Sequence, residues 1–228
     1  MKDASHNQDE SQNHRRILII DDHPLVRESL KKIIQRESDL TICGESEDRD
    51  QAMELVHITR PHLAIIDLTL KNSYGLELIK DLRDQHPEVL ILVLSMHDEA
   101  LHAERVVRAG AHGYISKQEV PAKILSAVRQ VLDGKIYWSE KAAARVATKI
   151  ARQTNSTKTF SVDLLSDREM QVFELLGAGH NTRQIAVALH IDASTVETYR
   201  SRIKEKLNLK SAAELFQYAI CWSNNPKL

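Results

Sequence analysis

The sequence is poor in several features that would by themselves suggest a function. Its two cysteines, Cys43 and Cys221, lie far apart and lack metal-ligand spacing, so we expect neither a disulfide framework nor a thiolate metal site. A reduced, cytoplasmic protein is the simplest interpretation. The first residues are polar and no long apolar run follows, so we expect neither secretion nor membrane insertion. The formal net charge of −1 means that bulk charge points to no partner.

The first half of the chain contains five short apolar runs, each typical of a strand buried in a parallel sheet. They lie at residues 17–20, 40–43, 63–66, 89–94 and 113–117. Segments with apolar residues at helical spacing separate and follow them. Five strands that alternate with five helices predict an α/β, doubly wound, five-stranded parallel sheet with helices on both faces.

The composition predicts a division of the chain into four parts. Residues 1–14 are polar and are expected to form a disordered tail, and residues 15–133 form the α/β domain. Residues 134–163 contain an Ala-rich, basic helix at 139–152 and a polar linker. Residues 164–228 show helical patterns, with a capping box at Ser166-Asp167-Arg168-Glu169 and no strand pattern. Small helices joined by tight turns indicate a helix-turn-helix unit.

Polar side chains follow four of the predicted strands. Asp21 and Asp22 follow the first strand, Asp67 the third, Ser95 the fourth and Lys117 the fifth. Ligands bind at the carboxyl ends of strands in open α/β sheets. Two like charges at 4 Å cost about 4 kcal/mol at an effective dielectric of 20, so three carboxylates at one edge require a cation. Oxygen ligands favour a hard ion such as Mg²⁺.

The same residues fit phosphate chemistry. Lys117 can supply a compact positive charge, Ser95 can hydrogen-bond a phosphoryl oxygen, and an aspartate can form an aspartyl phosphate. Each residue alone could simply end a strand or begin a turn, but the combination points to phosphoryl transfer. The nearby histidines match no metal motif and are interpreted as ordinary loop or helix residues: His23, His97 and His102.

With Tyr114 added, this pattern resembles the receiver domains of two-component systems over about residues 15–133. The resemblance implies that a sensor histidine kinase transfers a phosphoryl group to Asp67 and that Lys117 contacts the phosphate. It also implies that Ser95 and Tyr114 form a switch pair, in which Ser95 moves to the phosphate and Tyr114 turns inward behind it.

The resemblance further implies a Mg²⁺ site next to the phosphate. Asp22 and Asp67 would bind the ion together with the carbonyl of Thr69, and Asp21 would contribute more weakly through water. Lys71 stands where many receivers have proline, a departure in the loop that removes no ligand.

A predicted helix at about Ser194–Leu207 has one apolar side, formed by Val196, Ile203 and Leu207. The opposite side carries Thr198, Ser201, Arg202 and Glu205, with Thr195 and Glu197 at its flanks. Basic residues add positive charge near the edges of this side: Arg200, Lys204, Lys206 and Lys210. Such a helix can enter a major groove, with bases read by its face and phosphates bound by its flanks. Taken alone, the helix favours the simpler interpretation, an ordinary amphipathic helix with a solvated face.

Several motifs favour the first interpretation, because they resemble the LuxR-type helix-turn-helix over about residues 164–220. They are 165–169 (LSDRE), 179–182 (GHNT), 185–186 (IA) and 195–199 (TVETY). A receiver followed by this module is the arrangement of the NarL/FixJ response regulators. The resemblance implies binding to double-stranded promoter DNA and dimerisation on phosphorylation. Tyr199 stands where many members have His, and Glu197 replaces a frequent Lys, so the preferred DNA sequence stays open.

Two other functions compete with a phosphorylation-controlled regulator. A phosphohydrolase on a similar sheet would have an Asp-x-Asp pattern, but Thr69 stands two residues after Asp67, so we expect no enzymatic turnover. A degenerate receiver that only binds partners would have lost site residues. The chain keeps Asp22, Asp67, Ser95 and Lys117, which argues against degeneration.

Overall fold

The computed structural model describes residues 14–71, 73–96, 99–139, 143–144 and 162–224. The chain divides into two compact units, Met1–Thr148 and Lys149–Leu228. Of the tail predicted for residues 1–14, residues 1–13 lie outside the described residues. Most of the helix predicted for 139–152 and of the linker to residue 163 also lies outside them, although 143–144 are helical.

The first unit is built on a five-stranded parallel sheet, which confirms the predicted fold class. Five strands form this sheet: β1 Arg15–Ile20, β2 Leu40–Ser46, β3 Leu63–Asp67, β6 Leu90–Ser95 and β7 Gly113–Ser116. Two short strands, β4 Thr69–Leu70 and β5 Ser73–Tyr74, form a separate two-stranded sheet. The helices of this unit are α1 Pro24–Ile34, α2 Arg49–Thr59, α3 Gly75–Gln85, α4 Glu99–Ala109 and α5 Val120–Leu132. The order β2-β1-β3-β6-β7 places β3 at the centre of the sheet.

Alternating side chains of the central strands fill two apolar layers, one on each face of the sheet. On β1, Ile17 and Ile19 contact the layer that contains residues of α1 and α5. Leu18 and Ile20 contact the opposite layer, which contains residues of α2, α3 and α4. Each buried Leu or Ile side chain contributes about 1.5–3 kcal/mol relative to an exposed one, so burial on both faces strongly favours this arrangement.

A small hairpin separates β3 from α3, and the sequence patterns did not predict it. Its strands β4 and β5 are antiparallel, with Thr69 opposite Tyr74 and Leu70 opposite Ser73. At the hairpin's end, Gly75 lies so close to the strand that an added Cβ would be 2.1 Å from the Asp67 carbonyl oxygen. A glycine is therefore required where the chain returns past Asp67.

The segment after α5 returns to the sheet and pairs with the edge of β7. The Tyr114 N–H donates to the Tyr137 carbonyl at 2.9 Å, and the Tyr137 N–H donates to the His112 carbonyl at 3.1 Å. Tyr137 packs against one apolar layer and Trp138 against the other. We call residues 136–138 the edge strap, because they cover the last strand of the sheet.

The second unit is helical throughout its described residues, 162–224, apart from turns. A 3-10 turn at Val162–Leu164 precedes α6 Asp167–Gly177, α7 Thr182–Ala188, α8 Ala193–Lys206 and α9 Ala212–Asn224. Reciprocal capping boxes begin α6 at Ser166 and α7 at Asn181, and they satisfy backbone N–H groups that the helices leave open. The helices enclose a core of Val172, Phe173, Ile185, Val196, Ile203, Leu215 and Trp222.

Within the described part of the chain, none of the helices combines the length and the apolar character that a membrane span requires.

Candidate functional site

A buried acidic pocket lies at the carboxyl edge of the sheet. Asp21 follows β1, Asp67 ends β3, Ser95 ends β6 and Lys117 follows β7. The pairing of β1 with β3 and of β3 with β6 brings these strand ends together. Asp21 and Asp67 are only 1% and 3% exposed, and Ser95 is fully buried. The predicted convergence of these strand ends at one edge is therefore what the structure shows.

Lys117 joins the two buried carboxylates. Its Nζ lies 2.7 Å from Asp21 Oδ2 and 2.8 Å from Asp67 Oδ2, and its side chain is 7% exposed. Burial alone would lower the pKa of Lys117, but the charges of Asp67 and Asp21 outweigh burial and raise that pKa above its usual value. The lysine is therefore held as a cation beside the carboxyl group of Asp67.

Asp67 experiences opposing influences. Burial, and secondarily the negative charge of Asp21, raise the pKa of Asp67 to about 7, although Lys117 and a hydrogen bond from the Thr69 backbone lower it. A buried carboxylate whose countercharge is incomplete is stabilised by an additional cation. The pocket therefore favours a cation next to Asp67.

Three carboxylates and a histidine form a possible cation site. One ligand atom from each of Asp21, Asp22, His23 and Asp67 lies within 4.8 Å of the others. His23 Nδ1 is 2.6 Å from Asp22 Oδ1 and 3.2 Å from Asp21 Oδ1. Three carboxylates offer the hard oxygen ligands that Mg²⁺ prefers, so the donor set fits this ion. The sequence predicts only an ordinary loop residue at His23, because no ligand spacing distinguishes it.

Ser95 and Tyr114 lie on neighbouring strands. β6 and β7 pair in parallel, with Ser95 opposite Ser116 and Val93 opposite Tyr114. Tyr114 is buried, and its ring lies 6.3 Å from that of Trp138 between centroids, at an interplanar angle of 30°. The residue predicted to be a switch is thus in contact with the edge strap, which sequence reasoning assigned to the linker.

In the second unit, α8 has the two sides that the sequence predicts. Val196 and Ile203 are fully buried and Leu207, just after the helix, is nearly so. The exposed residues of the predicted DNA-contacting set are Glu197, Thr198, Ser201 and Arg202, and the half-buried ones are Thr195, Arg200, Lys204 and Lys206. The helix begins and ends one residue earlier than predicted.

Three side chains at the junction of α7 and α8 form a cluster. Thr182 donates to Glu197 Oε1 at 2.7 Å, and Arg200 Nη1 donates to the same oxygen at 2.7 Å. Arg200 Nη1 also donates to the Thr182 hydroxyl at 2.8 Å. The hydrogen bond from the Thr182 hydroxyl lowers the pKa of Glu197, and so does the charge of Arg200. Partial burial acts in the opposite direction, but the pKa stays below its usual value. Glu197 is therefore an ionised, oriented acceptor.

Lys206 makes an ion pair within the second unit. Its Nζ lies 2.6 Å from Oε2 of Glu169, a carboxylate on α6 that is 3% exposed. Burial would raise the pKa of Glu169, but hydrogen bonds from Lys206 and Ser166 outweigh it and hold that pKa below its usual value. The pair joins α6 to α8, so Lys206 has a structural contact besides its predicted phosphate contact.

These partners were not visible in the sequence. Glu169 and Lys206 are 37 residues apart, and Thr182 precedes Glu197 by 15. Helical angles place a residue on a side of its own helix but do not show which neighbouring helix covers that side. The capping motif did identify Glu169 as the third residue of α6, which is the only signal that marked it.

Comparison with known proteins matches the two units to two families. Residues 17–129 match the response regulator receiver domain, and residues 163–219 match the bacterial regulatory proteins of the luxR family. The acidic pocket lies in the first matched segment and α8 in the second.

Individual proteins resemble the chain over most of its length. The oxygen regulatory protein NreC of Staphylococcus carnosus is 31% identical over 90% of this chain and 96% of its own. RcsB of Salmonella enterica serovar Typhimurium, bound to promoter rprA in the presence of the phosphomimetic BeF3−, shares the fold. Its TM-score is 0.59 at 24% identity, over 91% of this chain and 99% of that chain. A structure of two RcsB dimers bound to two parallel DNAs is 25% identical in sequence, with a TM-score of 0.55. The match covers 90% of this chain and 98% of that chain. The chain therefore belongs to the response regulators that join a receiver domain to a LuxR-type DNA-binding domain.

Proposed function

We propose that this regulator is controlled by transfer of a phosphoryl group from a sensor histidine kinase to Asp67, and that it then binds promoter DNA through α8. The observation that carries the proposal is Lys117, which lies between Asp21 and Asp67 in a buried pocket. A cation held at hydrogen-bond distance from a buried carboxylate can stabilise the negative charge that develops on a phosphoryl oxygen during transfer to that carboxylate.

The transfer needs an ionised nucleophile and neutralised charge. A carboxylate oxygen of Asp67 attacks phosphorus, the phosphorus–nitrogen bond of the kinase phosphohistidine breaks, and its electron pair stays on the imidazole. Lys117 favours the ionised form of Asp67 and remains beside the new phosphate. Ser95 is fully buried at the end of β6, the strand that pairs with β3, and would donate a hydrogen bond to a phosphoryl oxygen.

Asp21, Asp22 and Asp67 would hold Mg²⁺, with the Thr69 carbonyl as a further ligand and Asp21 acting through water. When bound, the ion neutralises the charge of the incoming phosphoryl group. Support comes from the close approach of carboxylate oxygens, which repel one another without a cation. The same pocket holds no second acid two residues after Asp67, so we propose that it does not catalyse turnover.

The phosphate signal would leave the pocket through β6 and β7. A phosphoryl group adds about −1.5 to −2 charges, and Ser95 and Lys117 would move toward it. Tyr114, which is already buried beside Trp138, would then repack inward behind Ser95, a two-state change of the kind that couples sites through packed elements. We propose that this change favours a homodimer, whose two DNA-binding domains bind adjacent half-sites.

On DNA, the exposed side of α8 would read bases and its basic flanks would bind phosphates. The proposed base-reading set is Thr195, Glu197, Thr198, Ser201 and Arg202, and the proposed phosphate-contacting set is Arg200, Lys204 and Lys206. We propose the domains 15–133 and 164–228 with a linker between them, and a cytoplasmic location, where the DNA partner is found.

Phosphorylation with a small phosphodonor and Mg²⁺ tests the acceptor. Asp67→Asn should abolish stable incorporation, whereas the matched change Asp84→Asn, at an exposed carboxylate of α3, should leave it intact. Promoter binding that depends on phosphorylation should be lost in the first variant only. Undiminished incorporation in Asp67→Asn would show that the acceptor is a different residue, and rapid steady release of phosphate would favour an enzyme.

A further inference from the structure

The cluster of Thr182, Glu197 and Arg200 places an unusual group on a surface that is proposed to meet DNA. Glu197 carries a negative charge, is 55% exposed, and lies in the first half of α8. The N-terminal residues of a recognition helix contact base edges in the major groove. Arg200 pairs with one oxygen of Glu197, but the other oxygen would be repelled by the phosphate backbone, so we expect it to face the base edges.

The cluster also fixes the direction of the carboxylate. Thr182 begins α7, and its hydroxyl donates to Glu197 Oε1 while it accepts from Arg200. Among the described residues, the hydrogen bonds to this carboxylate reach Oε1, which leaves Oε2 for a donor outside the protein. A side chain held on one oxygen loses less conformational freedom when the other oxygen binds, so the cluster preorganises Glu197.

An ionised carboxylate only accepts hydrogen bonds, and the four bases differ in what they offer it. In the major groove, guanine presents the acceptors O6 and N7, and thymine presents the acceptor O4 and a methyl group. Adenine presents an amino group, but its neighbouring N7 acceptor repels a carboxylate. Cytosine presents the N4 amino group without an adjacent N7, so it is the base that matches an ionised glutamate.

We propose that Glu197 is a specificity-determining residue that reads a cytosine in each half-site, and that Thr182 and Arg200 are its positioning residues. The inference rests on the proposed DNA-binding function of α8 and names the base that one of its side chains recognises. It also explains why an acidic residue occurs in the first half of α8, residues 193–199, whose other side chains are uncharged.

A selection from a randomised double-stranded DNA library tests the inference with the full-length, phosphodonor-treated protein. The wild-type protein should prefer cytosine about tenfold over other bases at one position of each half-site. Glu197→Gln keeps the shape and the hydrogen bond from Thr182 but adds an amide donor. Because Gln pairs with adenine N6 and N7, this variant should change the preference at that position from cytosine to adenine.

Two further variants separate a base contact from a structural role. Glu214→Gln makes the same change at an exposed carboxylate of α9, outside the DNA-contacting set, and should leave that cytosine preference unchanged. Thr182→Val removes the hydroxyl and should weaken the cytosine preference several-fold without replacing it by another base. If Glu197→Gln selects the same sequences as the wild-type protein, the inference is overturned although DNA binding stands. If the wild-type protein selects no sequence, the proposed DNA-binding function fails instead.

Discussion

The ion pair between Lys206 and Glu169 predicts a loss of stability when its half-buried partner, Lys206, is replaced. Lys206→Met keeps the length and apolar stem of the side chain but removes the ammonium group. It leaves the Glu169 carboxylate buried on α6, still accepting from the Ser166 N–H at 2.6 Å but without a countercharge.

The expected magnitude follows from how deeply each partner is buried. Exposed ion pairs contribute about 0–1 kcal/mol, whereas breaking a buried pair costs about 3–5 kcal/mol. Glu169 is almost inaccessible but Lys206 is 39% exposed, so solvent screens part of the loss and we expect about 2 kcal/mol. For a domain of about 60–100 residues, this corresponds to a decrease in melting temperature of about 10 °C.

Tryptophan fluorescence can follow the DNA-binding domain selectively, because the chain has two tryptophans, one in each unit. Trp222 is buried, with its ring 5.5 Å from that of Phe173 between centroids. In a Trp138→Phe background, urea unfolding therefore reports on this unit. Lys210→Met is the matched control, because it removes an exposed lysine charge just after α8 and should change stability by about 0.5 kcal/mol or less.

The pH dependence gives a second, independent check. Since the folded pKa of Glu169 lies below its ordinary value of 4.5, the ionised group stabilises the fold above that pH, and this stability is lost as the pH falls further. The difference between the wild-type protein and Lys206→Met should therefore narrow below about pH 4.5. Equal urea midpoints for Lys206→Met and Lys210→Met at pH 7 would refute the reasoning. In that case a loss of DNA affinity in Lys206→Met would be assigned to a phosphate contact.

Two further predictions concern the acidic pocket. In both, unfolding of the receiver domain is measured by Trp138 fluorescence in a Trp222→Phe background. Because the folded pKa of Asp67 is raised from 3.8 to about 7, ionisation of this group destabilises the receiver as the pH rises through that interval. In EDTA, Asp67→Asn should therefore be more stable than the wild-type protein above pH 7, by about 4 kcal/mol, and similar at pH 4. Equal stability at pH 8 would contradict this. Adding Mg²⁺ should raise the urea midpoint of the wild-type receiver, and Asp22→Ala should lose most of that increase; an undiminished increase would exclude Asp22 as a ligand.

The sequence predicted the sheet because its central strands are buried on both faces and so read as uninterrupted apolar runs. β2 extends three residues beyond the predicted run, through Gly44, Glu45 and Ser46, because backbone pairing with β1 continues where the side chains become polar. β4 and β5 have two residues each, too few to establish a period of two. The edge strap follows from a single bridge between Gly113 and Tyr137, a contact that leaves no local pattern.

The site was predictable to a similar extent and for the same reason. Asp21, Asp67 and Lys117 each end or follow a strand, so topology alone brings them to one edge. The helical angles of α8 likewise indicated its buried side. Topology does not predict which side chains pair between different helices. The pairs Thr182–Glu197 and Glu169–Lys206 are both contacts of this kind. Their roles as DNA contacts or positioning residues stay predictions that the variants above address.

The edge strap changes where a receiver fragment of this protein can be cut. A fragment that ends at residue 133 would remove the acceptor of the Tyr114 N–H and the aromatic ring that covers Tyr114. It would also uncover the outer edge of β7, and an open strand edge is a template for pairing with other chains and for aggregation. A fragment that ends at residue 139 retains both hydrogen bonds of the strap. The first residues beyond α5 thus protect the sheet from intermolecular association, besides leading the chain toward its second domain.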